Sequence, residues 1–288
     1  MLVGKIKFIF RYIIGFIISL FLKLVFYEKF KVSSFKKANN VICIYFHNPT
    51  PQVFESVVKW MKKRNIQFIS ELDLLDFINQ KKILQGSIWM TLDDGWSTNK
   101  DLIPIINKYE VPVTIFLTSS AIEAGFFWAP IFVAKGGKMD LSFHSLPTKE
   151  KYEIIQKIEI DNKSNFDRTA LNSEEIISIS KNKYISWGLH THHHLATKYL
   201  GDLELFEEVK KNANYVSAVA NKQILGFAYP HGIYSGFEEP ILVDFNLKYA
   251  VTIKRSRILP NTERYFLPRY GYTPYSFIEN ISRIIGCW

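Results

Sequence analysis

The chain has only two cysteines in its 288 residues. Cys43 lies in an apolar run and Cys287 beside the C-terminus, so they offer neither a disulfide framework nor metal-ligand spacing and leave the compartment open. A clean membrane-spanning run is also missing. Phe8 to Tyr27 is almost wholly apolar, and a helix of about twenty residues spans about 30 Å, the thickness of a hydrocarbon core. Arg11 and Lys23 interrupt it, leaving only the 11 residues Tyr12 to Leu22 without a charge. Three readings stay open: a signal anchor whose end charges snorkel, an interfacial helix, or a cleaved signal peptide. No convincing small-x-small cleavage site follows, Val32-Ser33-Ser34 being the nearest, and basic residues on both flanks prevent orientation by charge. Residues 1–32 are therefore expected to associate with a membrane of the cell envelope, on a side left open. A basic body is absent too. The net charge is +9, but residues 1–40 hold eight basic residues against Glu28 alone, so the rest is nearly balanced. That distribution excludes nucleic acid as the expected partner. There is no internal repeat and no low-complexity tract.

What is present is a globular composition, 48% hydrophobic and 15% aromatic, long enough to bury a full core. Ser33 to Asn40 reads as a polar linker. From residue 41, strands and helices alternate. Val41–Phe46 is a β-branched and aromatic strand, and Pro51–Arg64 has helical apolar spacing. Gln67–Ile69 is a strand, Ser70 and Glu71 open a helix over Leu72–Asn79, and the apolar run from Ile88 is a strand. Helix Asp101–Tyr109 and strand Val113–Leu117 follow. Ala121–Lys183 is a long excursion, read as loops and helices over a barrel mouth, with packing the expected role of Trp128 and sugar stacking its rival. The excursion ends in a capped helix start at Asn172-Ser173-Glu174-Glu175. Strand Ile185–Leu189 and helix Asp202–Ala220 come next, the latter with Leu203, Phe206, Val209, Ala213 and Val216 along one side. Strand Ile224–Tyr229, helix Glu238–Val243, strand Tyr249–Ile253 and helix Phe277–Ile285 close the chain. This alternation predicts an α/β fold with a mainly parallel sheet, whose chemistry collects at strand C-termini.

Two stretches stand at such ends. Met90-Thr91-Leu92-Asp93-Asp94-Gly95-Trp96 runs an apolar strand into two adjacent acids and a glycine. Successive strand side chains point to opposite faces, so one acid can face a metal and the other a water; the bland alternative is an Asp-Gly hairpin corner. His190-Thr191-His192-His193-His194 follows another apolar run. On a helical turn His190 and His194 would share one face, a familiar spacing for a borderline metal ion.

These stretches, followed by Phe227-Ala228-Tyr229-Pro230-His231-Gly232, resemble in type and order the polysaccharide deacetylases, the NodB-type carbohydrate esterases, over roughly residues 40–275. With Ile44-Tyr45-Phe46-His47 ending the first strand, the resemblance is closest to the permuted branch that includes deacetylases of poly-N-acetylglucosamine. The resemblance implies a distorted (β/α) barrel of about seven strands over residues 41–288, with 121–183 as a lid-like insertion. It implies metal-assisted hydrolysis of a sugar acetamide. Asp94, His190 and His194 would hold one divalent ion, an O,N,N set that suits zinc first and also nickel, cobalt or ferrous iron. Asp93 would be the general base. A backbone N–H near His231, in the Tyr229-Pro230-His231 stretch, would meet the oxyanion and substrate. A late Leu-x-His motif is absent, so His47 takes the role of proton donor to the leaving amine, and Arg269 resembles the arginine that accompanies the base carboxylate. Two departures stand out: Ala228-Tyr229 where many relatives have an arginine, and His231 where tyrosine is usual. His144, His192 and His193 are left as supporting or surface residues.

The expected substrate is a cell-surface or extracellular polysaccharide, with the protein acting as a monomer. Rival readings are a deformylase or deacetylase of a lipid-linked amino sugar (a glycolipid substrate), an O-acetyl esterase, and a non-catalytic membrane-tethered glycan-binding protein.

Overall fold

The computed structural model describes residues 11–17, 20, 27–162, 167–273 and 275–284. Most of the segment expected to meet a membrane lies outside these residues, and among those described no helix is long and apolar enough to cross one. The stretch expected to be a polar linker is helical instead through Lys37, as the end of the helix Tyr27–Lys37. The reason is burial: Phe35 is 4% exposed and joins the main core, an anchorage that a free linker could not make.

The sheet is parallel throughout. Strands β1 (Val41–Phe46), β2 (Phe68–Ile69), β3 (Ser87–Leu92), β4 (Val113–Leu117), β5 (Ile185–Leu189), β6 (Gly226–Ala228), β7 (Tyr249–Val251) and β8 (Tyr270–Gly271) form one sheet in the order β7-β6-β5-β4-β3-β1-β8, with β2 attached to β3. Leu267 bridges in parallel to Val251 of β7, and Tyr270 and Gly271 pair with β1. One short run thus joins the two ends of the strand path, giving the distorted seven-strand barrel that the family resemblance implied.

The strands are almost wholly buried, as parallel strands covered on both faces must be. Their alternation divides the core in two. Ile42, Ile44, Ile88, Met90 and Ile115 pack outward under the helices, whereas Val41, Cys43, Trp89, Phe116 and Tyr249 form a separate cluster on the other face. Gly226 makes room for one of these aromatics, since a Cβ there would sit 2.2 Å from the Tyr249 ring.

Local signals fix the helices. Thr50 caps Pro51–Lys62, with proline at the tolerant first turn. Ser70 with Asp73, and Asn172 with Glu175, form capping boxes that open Glu71–Ile78 and Ser173–Ser180. The helix Asp202–Ala220 has the expected bounds and, Leu203 excepted, buries or half-buries the expected face. Leu203 is 84% exposed; Val209 and Val216 are buried as expected, and Leu205, Glu208 and Asn212 are buried beside them. Ala121–Lys183 contains the helices Trp128–Ala134 and Thr148–Asn162, among others, around a cluster of its own: Phe126, Trp128, Ile131, Phe143, Ile155, Ile158 and Leu195. Leu195 follows the histidine run, so this insertion packs directly onto the loop that holds it.

Candidate active site

The site forms where β3, β5 and β6 end. Asp94 lies two residues beyond β3 with φ 75°, a left-handed conformation uncommon for a non-glycine residue. Gly95 continues the turn at φ 89°, where a Cβ would also sit 2.6 Å from Leu117. The tight turn sends the two acids to different partners.

Asp94 meets the histidines. Its Oδ1 lies 3.4 Å from His190 Nε2 and 3.4 Å from His194 Nε2, and the two imidazole nitrogens are 3.2 Å apart. One donor atom from each of the three residues falls within 4.8 Å of the others. The Oδ1 atom is buried without a hydrogen-bond partner, an expensive state unless something else meets it. Oδ2 is occupied by the Trp96 indole N–H at 2.9 Å. The His190 ring is oriented by Nδ1 donating to Ala228 O at 2.7 Å, which leaves Nε2 free to ligate. An orphaned carboxylate oxygen beside an oriented imidazole and a second one fits a divalent cation.

The electrostatics keep Asp94 ionised and His194 neutral, while Asp94 raises the His190 pKa against the burial that would lower it. Burial alone would raise the Asp94 pKa, but the imidazoles of His47, His190 and His194 outweigh it and hold the carboxyl far below its usual range. Burial and the neighbouring His231 push His194 well down, keeping its imidazole neutral as a ligand must be.

Asp93 turns to the barrel interior, on the same side as Trp89 and Thr91. It receives a bidentate fork from Arg269, whose two terminal nitrogens lie 2.7 and 2.8 Å from its oxygens. Arg269 is fully buried, and also donates to Thr252 O and Thr91 Oγ1 and lies over the Tyr45 ring at 4.4 Å. Burial would depress this guanidinium, but the Asp93 charge overrides it and raises its pKa.

The histidine run is not a helical turn. It is an irregular loop in which Thr191 and His194 both adopt φ 60°. These two left-handed residues fold the loop back and bring His190 and His194 together, a result the four-residue spacing reached by the wrong geometry. His192 and His193 point elsewhere: His192 Nδ1 lies 2.8 Å from Ser119 Oγ, and His193 Nδ1 2.6 Å from Glu208 Oε1. Neither belongs to the three-residue metal group.

The helix Asp202–Ala220 braces the loop with residues that sequence reasoning missed. Glu208 accepts the His193 N–H at 2.8 Å, and Asn212 accepts the His190 N–H at 2.9 Å while donating to Leu117 O and Ser119 Oγ. The signal was available: an acid and an amide four residues apart, on the side of an amphipathic helix shared with Leu205 and Val209. Trp128 braces the loop from the insertion, donating to His193 O at 2.7 Å while 2% exposed.

The remaining expected residues surround this centre. His47 is exposed one residue past β1, and its backbone carbonyl accepts from Asn99. His231 has φ 59°, and its ring lies 4.5 Å from that of His194 and 5.2 Å from that of His144. Burial, then the charges of His144 and His190, lower its pKa to about 4. Pro230 is buried at the start of the turn Pro230–Gly232. Tyr229 turns its ring into the core, stacked on Tyr234, and its hydroxyl donates to Tyr265 O, so that only its backbone remains for a ligand.

Comparison with known proteins supports the same fold. The Streptococcus pyogenes deacetylase PplD in complex with acetate superposes with TM-score 0.64 at 16% identity, over 85% of this chain and 98% of that one. The structure of IcaB from Ammonifex degensii gives TM-score 0.63 at 15% identity, over 87% and 99%. In sequence, the poly-beta-1,6-N-acetyl-D-glucosamine N-deacetylase of Staphylococcus aureus (strain N315) is 21% identical over 255 residues, 84% of this chain and 77% of the relative. That of Staphylococcus epidermidis is 21% identical over 224 residues, 77% and 67%. A profile of the polysaccharide deacetylase family matches residues 80–250, more than half of the chain and inclusive of both acids and the histidine loop, so the chain belongs to that family.

Proposed function

We propose that the protein is a metal-dependent N-deacetylase of a cell-surface polysaccharide built from N-acetylglucosamine. The observation that carries this reading is the orphaned Asp94 Oδ1 between two imidazole nitrogens, with a second carboxylate on the preceding residue. Asp94, His190 and His194 would hold the ion, and three protein ligands leave coordination open as in a catalytic rather than a structural site. Zinc is the first choice for this donor set. When bound, such an ion supplies Lewis acidity toward the acetyl carbonyl and lowers the pKa of a water.

The chain's own groups do the rest. Asp93, fixed by Arg269, takes the proton from the attacking water as the new C–O bond forms. The N–H groups of Tyr229, Gly232 and Ile233 are taken by backbone carbonyls, so the His231 N–H is the one in this turn that would meet the oxygen on which negative charge develops. The C–N bond then breaks, and His47 at the rim delivers a proton to the departing amine. Acetate and a free hexosamine amine result. We further propose that the protein acts as a monomer, held to the membrane by its basic, apolar N-terminal segment.

The test uses the full-length chain in detergent. Acetate release is followed from β-1,6-linked N-acetylglucosamine oligomers, chitin oligomers and peptidoglycan fragments, with O-acetyl and N-formyl analogues alongside. Each is assayed with and without divalent metal. Metal-stimulated release from a glycan is the expected result. An N-formyl or O-acetyl preference above tenfold would replace this reading by the corresponding deformylase or esterase.

A further inference from the structure

A cavity of about 270 Å³ lies apart from the reaction centre, across the short helix Ser119–Ala124. Thr118 and Ala121 line the space beside Asp94 and His194, whereas Ser120 and Glu123 line this one. His192, turned away from the metal-ligand group, adds a second side. Gln156 and Glu159 of the helix Thr148–Asn162 add the third, three residues apart and so on one helix face. The volume approaches the lower limit of ligand pockets, about 300 Å³, and suits a single sugar unit.

Two independent features of the wall call for a ligand. The first is uncompensated charge. Among the described residues neither Glu123 nor Glu159 forms an ion pair with a lysine or arginine, and His192 Nε2 stands 4.0 Å from Glu123 Oε2. Burial raises the Glu159 pKa, and the Glu123 carboxylate adds to the rise against the pull of His193, so the two acids repel. The second is an orphaned hydroxyl. Ser120 is 4% exposed, and its Oγ is buried without a hydrogen-bond partner, a state that a ligand hydroxyl would relieve. A single metal ion does not answer both. Among the described residues only Asp94, His190 and His194 bring ligand atoms within 4.8 Å of one another. Glu123, Glu159 and His192 stand too far apart to share an ion, so the cation that fits them carries its charge on a larger body.

We propose that this cavity is a subsite for a hexosamine unit bearing a free, protonated amine, held between the Glu123 and Glu159 carboxylates, through which the protein binds glycans already partly deacetylated. The choice of an amino sugar rests on the deacetylase reading above. An N-acetylated unit is neutral and leaves both acids unanswered, whereas loss of the acetyl group creates the charge that the cavity lacks. The cavity thus separates product units from substrate units by charge. The sugar hydroxyls meet Ser120 Oγ and the Gln156 amide. The chain's net charge of +9 gives no general attraction for such a cation, so the affinity is local to this pair of acids.

The experiment is titration calorimetry on the full-length, metal-stripped protein in detergent, at mildly acidic pH. Glucosamine oligomers are the probe, since they have no acetyl group to lose. N-acetylglucosamine oligomers of equal length, and the chlorides of magnesium, calcium and manganese, are titrated beside them. The glucosamine oligomers should bind about tenfold or more tighter than their acetylated counterparts. Glu123→Gln and Glu159→Gln should each remove about tenfold of that affinity, the worth of one charged hydrogen-bond partner. Melting curves check that both variants fold, and either one alone suffices. Equal affinity for the two oligomers would overturn the proposal, as would a preference that both variants leave intact. Binding of a divalent ion that Glu159→Gln abolishes, without binding of the amine, would make the cavity a metal site instead. Acetate release without amine binding sensitive to these variants would remove the subsite and leave the deacetylase standing. Sensitive amine binding without acetate release from any glycan would do the reverse.

Discussion

Adjacent aspartates divide the chemistry because the turn after β3 sends them to opposite partners. Asp94 reaches the imidazoles and Asp93 the Arg269 fork. Asp93→Asn should retain metal, measured by metal analysis of the purified protein, and lose about 10²- to 10⁴-fold in turnover, the usual worth of a positioned base. Unchanged turnover would remove Asp93 from that role. Arg269 is tested by stability as well. Arg269→Met leaves the Asp93 carboxylate buried and unpaired, and should cost about 3–5 kcal/mol in denaturant unfolding. A loss below about 1 kcal/mol would mean that water reaches the carboxylate. Both acids and the two candidate ligand histidines were legible from residue type and order, and Arg269 from the family resemblance alone. The loop geometry was not, because Thr191 and His194 adopt positive φ without the glycine that normally announces it.

At the level of elements, strands β1, β4 and β5 have the bounds their apolar runs implied, since a parallel strand buried on both faces has little freedom in where it ends. The helix Asp202–Ala220 was legible in length and in most of its inner face, Leu203 excepted. Apolar periodicity does not announce Glu208 and Asn212, which are buried because they accept the His193 and His190 N–H groups of the histidine loop. Asn212→Leu should therefore weaken metal binding about 10- to 100-fold by titration calorimetry, through loss of support for His190 rather than loss of a ligand. An unchanged affinity would reduce Asn212 to packing. The C-terminal end of the insertion has its own electrostatic latch. Burial would raise the Glu175 pKa, but hydrogen bonds from Arg168 and Lys100 and from the Asn172 N–H lower it to about 2, from an ordinary 4.5. A depressed carboxyl stabilises the fold above about pH 4.5, and that contribution fades as pH falls toward 2. Melting temperatures of Glu175→Gln and the parent should therefore converge across this window, whereas a constant gap would rule the latch out.

For the whole molecule, the parallel barrel follows from strand–helix alternation, and its mouth collects what the strand ends bear. The N-terminal helix was less legible. Lysines and serines disguise Phe35, whose burial ties Tyr27–Lys37 to the core. If Asp94, His190 and His194 hold an ion between β3 and β5, the ion also stabilises the assembled barrel. Chelation should lower the melting temperature, with a loss of about 2.7 kcal/mol where metal had stood at a hundredfold over its Kd. Identical melting with and without chelator would show the site to be empty at working concentrations.

The run that joins β7 to β1 has a consequence for synthesis. Leu267 reaches one end of the strand path and Tyr270 the other, with Arg269 between them against Asp93. Both aspartates and all three metal-ligand candidates are translated well before that run. A nascent chain can thus carry all three candidate ligands and still lack the guanidinium that grips Asp93. If Asp93 is the base, hydrolytic competence waits on a segment translated after every other proposed site residue.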